Sequence, residues 1–275
     1  MTVGIIGLGL IGGSLARALA AHTTHRVLGW DREEATREAA LGCGAIQGLL
    51  APDAPPACDV VVVAVPPRAT LGVLDELAPR VTPDTLVVDC CGVKRAVCAR
   101  GFALAARHGF TFIGGHPMAG RERAGFAASL PTLFRGASML LVPDARAPEA
   151  VRARAEALFR EAGFGRIVFT TAEHHDRMIA LTSQLAHVVS NAFVKSPRAA
   201  GHAGFSAGSF ADLTRVARLD EHLWCELFLE NRDNLLIEID TLLEALRLYR
   251  DALAAGDAGQ LTELLKAGRE CKENL

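Results

Sequence analysis

Two groups of residues have types and spacings that could do chemistry. The first is Gly7, Gly9 and Gly12, spaced G-x-G-x-x-G within "VGIIGLGLIGGSLARAL". The first glycine permits a tight turn, the second lets backbone approach a pyrophosphate, and the third lets a helix pack closely on a strand. Leu10 and Ile11 would open that helix, whose free N–H groups would face the phosphates of a dinucleotide. Asp31 closes the next strand-like run, "VLGWDR". A carboxylate there can accept hydrogen bonds from the adenosine ribose and would repel a 2′-phosphate, so NAD is preferred over NADP. Arg32 pulls the other way, since an arginine there could lie along the adenine or attract that phosphate. The bland alternative for the glycines is a strand-to-helix turn that binds nothing. The second group centres on His116 in "FIGGHPMAG". Its imidazole can exchange a proton near neutral pH, and the following proline keeps the backbone out of helical geometry, where it could aim the side chain at a cleft. The alternative is a structural histidine bonded to loop carbonyls.

The elements that must position these residues follow from periodicity. Over residues 1–170, "VGII", "RVLGWD", "DVVVVAVP", "TLVVDCC", "FTFIGG" and "SMLLVP" read as strands, with crossover helices such as Glu33 to Leu41 and Arg68 to Ala78 between them. Continuous apolar runs such as Val60 to Val65 suit strands buried on both faces. The expected fold is therefore α/β, a Rossmann-like dinucleotide-binding domain with a mostly parallel sheet, followed by an all-helical domain over 171–275. In that second part Leu235, Ile239, Leu242, Leu246, Tyr249 and Leu253 recur at helical steps, which predicts one long helix over "EHLWCELFLENRDNLLIEIDTLLEALRLYRDAL" with Asp220 as its N-cap. Such a stripe must be buried against neighbouring helices or a second copy, so a homodimer is expected.

Composition excludes several classes. The 275 residues are 50% apolar and carry 29 basic against 31 acidic side chains, a net charge of −2. That balance argues against a nucleic-acid surface or a polybasic membrane anchor and favours a small-molecule substrate. The opening residues are a poor signal peptide, no run is long enough to span a bilayer, and seven scattered cysteines fit reduced thiols, so a cytoplasmic protein without a structural metal is expected.

The chain resembles the prephenate/arogenate dehydrogenase family of tyrosine biosynthesis over essentially its whole length. The likeness runs in the family's order through "GLGLIGGSLA", "DCCGVK" (Asp89 to Lys94), "GGHPMAGRERAG" (Gly114 to Gly125), "SQLAHVVSNA" (Ser183 to Ala192) and "FADLTRVARLDEHLW" (Phe210 to Trp224). The resemblance implies NAD-dependent oxidative decarboxylation of prephenate to 4-hydroxyphenylpyruvate, or of arogenate to tyrosine. It also implies that His116 accepts the proton of the substrate's 4-hydroxyl and that His187 contacts substrate. Arg215 would bind a substrate carboxylate, for which a guanidinium fork is suited; Arg218 is not separable from it by sequence. Glu122 and Asp212 match acidic positions that help close the site. Ser183 and Gln184 would face the same cleft.

One position departs from the family. Many relatives carry serine where this chain has Gly92, a serine thought to bond both the substrate hydroxyl and the histidine. The expectation is that Gly92 leaves room for water and tolerates the loss of a hydrogen bond worth about 0.5–1.5 kcal/mol. Lys94 reads as a surface lysine or one near the cofactor. Ending at Leu275, the chain is expected to lack the appended chorismate mutase or regulatory domain of some relatives, leaving tyrosine feedback to act by competition. Arogenate turnover, and from another class a non-catalytic NAD-sensing module, remain alternatives; "GGHPMAG" argues against a 3-hydroxyacid dehydrogenase or imine reductase.

Overall fold

The computed structural model describes residues 1–51, 58–121 and 123–275. These form two compact units, Met1–Ile179 with Arg218–Glu230, and Ala180–Ala217 with Asn231–Leu275.

The first unit is built on an eight-stranded sheet. In chain order the strands are β1 (Thr2–Ile6), β2 (Arg26–Trp30), β3 (Gly48–Leu49), β4 (Val60–Val63), β5 (Leu86–Asp89), β6 (Thr111–Pro117), β7 (Ser138–Pro143) and β8 (Arg166–Phe169), arranged β3-β2-β1-β4-β5-β6-β7-β8. Every neighbouring pair is parallel except β6 with β7. Its helices are α1 (Leu10–His22), α2 (Glu34–Gly42), α3 (Pro67–Leu77), α4 (Arg95–His108), α5 (Glu149–Glu161) and α6 (Ala172–Ile179). The period of two along a strand sorts side chains between two cores. Val60 and Val62 join Leu15, Leu19 and Phe159 from α1 and α5, whereas Val61 and Val63 join Leu74, Leu77 and Leu104 from α3 and α4. That is why β4 reads as an unbroken valine run.

The second unit is helical. It comprises a π-helical turn at Ala180–Leu185, α7 (Ala186–Phe193) and α8 (Gly208–Thr214), and later the long hairpin of α10 (Arg232–Ala255) and α11 (Ala258–Glu273). The hairpin turns at Gly256, whose φ of 65° lies in the left-handed region, and Asp257 caps α11 by accepting from the Gln260 N–H at 2.9 Å.

Two expectations need correcting. The single long helix is two, α9 (Glu221–Glu230) and α10, because Asn231 at φ −119° interrupts it. Asn231 is fully buried, and its side chain donates to Gln184 Oε1 at 2.8 Å. Asp220 does cap α9, accepting from the N–H groups of His222 and Leu223 at 3.0 and 2.9 Å. Two strands, β3 and β8, were not foreseen; both are short and lie at the sheet edges. The first compact unit includes α9, which packs against α3, where Arg68 Nε lies 3.6 Å from Glu226 Oε1.

Candidate active site

The parallel strands β1, β2, β5 and β6 end on one edge of the sheet, and each delivers residues there: Gly7 after β1, Asp31 after β2, Asp89 on β5 and His116 on β6. Ligands of open α/β sheets bind along this carboxyl edge.

Gly7 sits at φ 89°, and a Cβ there would lie 2.5 Å from the carbonyl oxygen of Ala64. A Cβ on Gly12 would lie 1.9 Å from the carbonyl oxygen of Gly7, so both positions demand glycine for packing alone. Gly9 differs, with no atom within 4 Å of its would-be Cβ. It precedes Leu10 and Ile11, the first residues of α1, whose N-terminus has no side-chain cap and no acidic residue in its first turn. Open space before an uncapped helix end is what a pyrophosphate requires. Asp31 accepts from the N–H groups of Leu8 at 2.8 Å and Glu33 at 3.0 Å. The Arg32 side chain is 85% exposed and pairs with Glu33 at 3.2 Å.

His116 is brought to the same edge by two glycines that cannot be larger: a Cβ on Gly114 would meet Cys98 Sγ at 2.4 Å, and one on Gly115 the Asp89 carbonyl at 2.3 Å. Its Nδ1 lies 2.9 Å from Nε2 of His175, whose Nδ1 lies 2.8 Å from Asp176 Oδ1. Asp176 also accepts from the backbone N–H groups of Lys94 at 2.7 Å and Arg95 at 2.9 Å. Lys94 is not the expected surface lysine but fully buried; its ammonium bonds the buried Asp89 carboxylate and donates to the Gly115 carbonyl at 2.7 Å. Asp89 accepts further from Cys91 N at 2.7 Å and Gly115 N at 3.0 Å. A side chain at Gly92 would start 3.9 Å from His116 Nε2 and 3.1 Å from the tip of Leu227. The Nε2 atom of the imidazole thus lies beside position 92.

Electrostatics favour neutral rings here. Burial, then His175 and the Lys94 ammonium, push His116 well below the ordinary histidine value of 6.5. Burial also lowers His175, against the opposing hydrogen bond that its ring donates to Asp176. For Asp176 burial acts upward but is outweighed by hydrogen bonds from His175, Arg95 and Lys94, so it stays ionised below its ordinary value of 3.8. Burial works against the charged form of Lys94 too, yet Asp89 and neighbouring thiols outweigh it and raise its pKa. With His116, His175 and Asp176 all lowered on folding, the unfolded chain binds more protons in acid. The expected result is a stability fully present above pH 6.5 that declines as pH falls below it and again through the carboxylate range. Thermal midpoints that stay level from about pH 7 to 5 would contradict it.

In the helical unit, His187 on α7 bonds the Ser183 carbonyl through Nδ1 at 2.8 Å. Its pKa is lowered, first by burial and also by the Arg215 charge, which places these two expected residues in one neighbourhood. Arg215 begins a 3-10 turn after α8, Asp212 is exposed on α8, Ser183 is half-buried, and Gln184 is buried against Asn231. Arg215 and Arg218 belong to different compact units. Glu122 lies outside the described residues. Sequence reasoning missed His175, Asp176 and Asp89, the groups nearest His116 and its lysine neighbour. Among the described residues, no three His, Cys, Asp or Glu side chains are grouped to hold a metal, and no helix is long and apolar enough to cross a membrane.

Comparison with known proteins adds the following. The family model described as "Prephenate dehydrogenase, nucleotide-binding domain" matches residues 15–168, and "Prephenate dehydrogenase, dimerization domain" matches residues 171–267. The cyclohexadienyl dehydrogenase of Zymomonas mobilis is 34% identical over 98% of this chain and 94% of its own. The prephenate dehydrogenase of Bacillus subtilis is 28% identical over 100% of this chain and 76% of its own. The crystal structure of Aquifex aeolicus prephenate dehydrogenase with hydroxyphenyl propionate and NAD+ superposes with a TM-score of 0.87, at 25% identity, covering 100% of this chain and 98% of that one.

Proposed function

The chain belongs to the prephenate dehydrogenase family, and from that premise we propose that it catalyses the NAD-dependent oxidative decarboxylation of prephenate to 4-hydroxyphenylpyruvate, a step of tyrosine biosynthesis. The observation that carries this reading is the bare Nε2 face of His116, turned to position 92 on the sheet edge that also holds the glycine turn. NAD supplies the hydride acceptor. Gly7, Gly9, Leu10, Ile11 and Gly12 hold its pyrophosphate, and Asp31 takes its ribose hydroxyls; a 2′-phosphate would meet that carboxylate, and Arg32 is drawn to Glu33, which supports NAD over NADP.

His116 Nε2 takes the proton of the 4-hydroxyl as hydride leaves the same ring carbon. Carbon dioxide then departs, its bonding electrons make the ring aromatic, and the phenolic oxygen recovers a proton. Arg215 pairs with a substrate carboxylate and His187 adds a contact, the roles that the family resemblance implies for them, and Asp212 contributes a nearby negative charge. Gly92 leaves a water to stand in for the serine hydroxyl. Residues 171–275 form the substrate-binding and dimerisation half. Leu236, Leu243, Leu246 and Leu253 lie on one face of α10 and are each more than half exposed, which supports a homodimer through that face. Seven free cysteines accord with a reducing, cytoplasmic setting.

The test is NADH formation by purified protein with NAD and either prephenate or arogenate. Turnover with prephenate is expected. Turnover with arogenate alone would move the enzyme to tyrosine formation, and silence with both despite NAD binding would leave a sensing module.

A further inference from the structure

Resting on the reading of His116 as the base, we propose that His175 and Asp176 are positioning residues which fix the tautomer of His116 and share the proton it receives. The assignment follows from hydrogen-bond accounting. An ionised carboxylate can only accept, so His175 Nδ1, 2.8 Å from Asp176 Oδ1, carries the hydrogen. A neutral His175 then presents a lone pair on Nε2. His116 Nδ1, 2.9 Å away, must be the donor in that contact. The lone pair of neutral His116 is thereby left on Nε2, the atom that faces position 92. Which nitrogen of an imidazole is basic is set by the bond the other one makes. The carboxylate is itself immobilised, since the backbone N–H groups of Lys94 and Arg95 hold it.

The same chain of bonds handles charge. When a proton arrives on His116 Nε2, the ring becomes a cation in a site already occupied by the buried Lys94 ammonium. Passing the Nδ1 hydrogen to His175 Nε2 leaves His116 neutral with its new hydrogen on Nε2. The positive charge then lies on His175, in contact with the Asp176 carboxylate. One proton enters at Nε2 and one crosses at Nδ1, and the reverse movement returns a proton to the phenolic oxygen. Buried geometry suits such sharing: His175 and Asp176 are 2% and 1% exposed, so water does not compete for these bonds.

The test is a two-bond nitrogen–proton correlation spectrum of protein labelled with ¹⁵N in its histidine rings, assigned with His116→Asn and His175→Phe variants. Ligand-free wild type at neutral pH is expected to carry the hydrogen on Nδ1 in both His116 and His175. His175→Phe is expected to lose the Nδ1-only form of His116 and to lower kcat about 10- to 100-fold, part of what a positioned base contributes, with KM little changed. Should that variant fail to fold, His175→Gln keeps the test open, because its amide oxygen reaches the place of Nε2 and can accept the same hydrogen; recovery of the tautomer and most of kcat is expected. Hydrogen on Nε2 of His116 in the wild type, or an unchanged tautomer and kcat in His175→Phe, would overturn the proposal. The spectrum needs no substrate. The expected tautomers without NADH formation from prephenate would overturn the assigned reaction and uphold the positioning, whereas turnover with the opposite tautomer would overturn the positioning alone.

Discussion

Replacing His116 by asparagine is expected to lower turnover of prephenate by about 10²- to 10⁴-fold while leaving NAD affinity unchanged. The choice of asparagine matters. Its amide nitrogen falls near the place of Nδ1 and can still donate to His175 Nε2, which accepts at 2.9 Å in the native protein, so the buried bonds stay satisfied. Nothing remains at the position of Nε2. The loss therefore reads the proton acceptor alone and corresponds to about 2.7–5.4 kcal/mol of transition-state stabilisation. It should appear in kcat rather than in KM. A variant that keeps more than about a tenth of wild-type turnover would show that His116 is not the base.

The second large effect concerns stability. Lys94→Met should destabilise the protein by about 3–5 kcal/mol, the usual cost of removing one partner from a buried ion pair. Lys94 and Asp89 are both 0% exposed, so no water can take the place of the ammonium. Methionine fills much of the aliphatic stem's volume, but Asp89 loses its countercharge and keeps neutral donors such as the backbone N–H groups of Cys91 and Gly115. Combining Lys94→Met with Asp89→Asn should cost clearly less than the two single changes added together, because the unpaired charge is gone. Urea midpoints of the three variants measure this. A single-variant loss below about 1 kcal/mol would mean that the pair is not isolated from solvent as described.

The glycine turn is legible in the sequence because its constraint is local. Gly7 and Gly12 meet each other within one turn, and spacing alone reports it. The valine run of β4 is legible for a similar reason, since both faces of the strand are covered. His175 is hidden because its partners are remote: His116 is 59 residues away and the Lys94 N–H that holds Asp176 is 82 away. A signal did exist, for Ala172, His175, Asp176 and Ile179 fall on one face of α6 and are its buried residues. Two polar side chains within an otherwise apolar face imply partners in the core. Lys94 gave no such mark, because a lysine before a helix looks the same whether or not a carboxylate waits beneath it. The break at Asn231 is masked by apolar spacing that continues from α9 into α10, while the reason for the break is tertiary, the buried bond to Gln184.

Asp176 joins two tasks in one carboxylate, holding the first N–H groups of α4 and the ring of His175. In a lineage accumulating substitutions, that sharing narrows the routes by which the site can change. A replacement that alters the imidazole pair through Asp176 also loosens a helix start, so most such chains would be lost to misfolding before their activity was ever exposed to selection. Position 92 is the opposite case. A Cβ added there would meet first the flexible tip of Leu227 and then His116 Nε2, so a small side chain can be tried at little cost to the fold. Innovation around this histidine is therefore open from the side of Gly92 and closed from the side of Asp176.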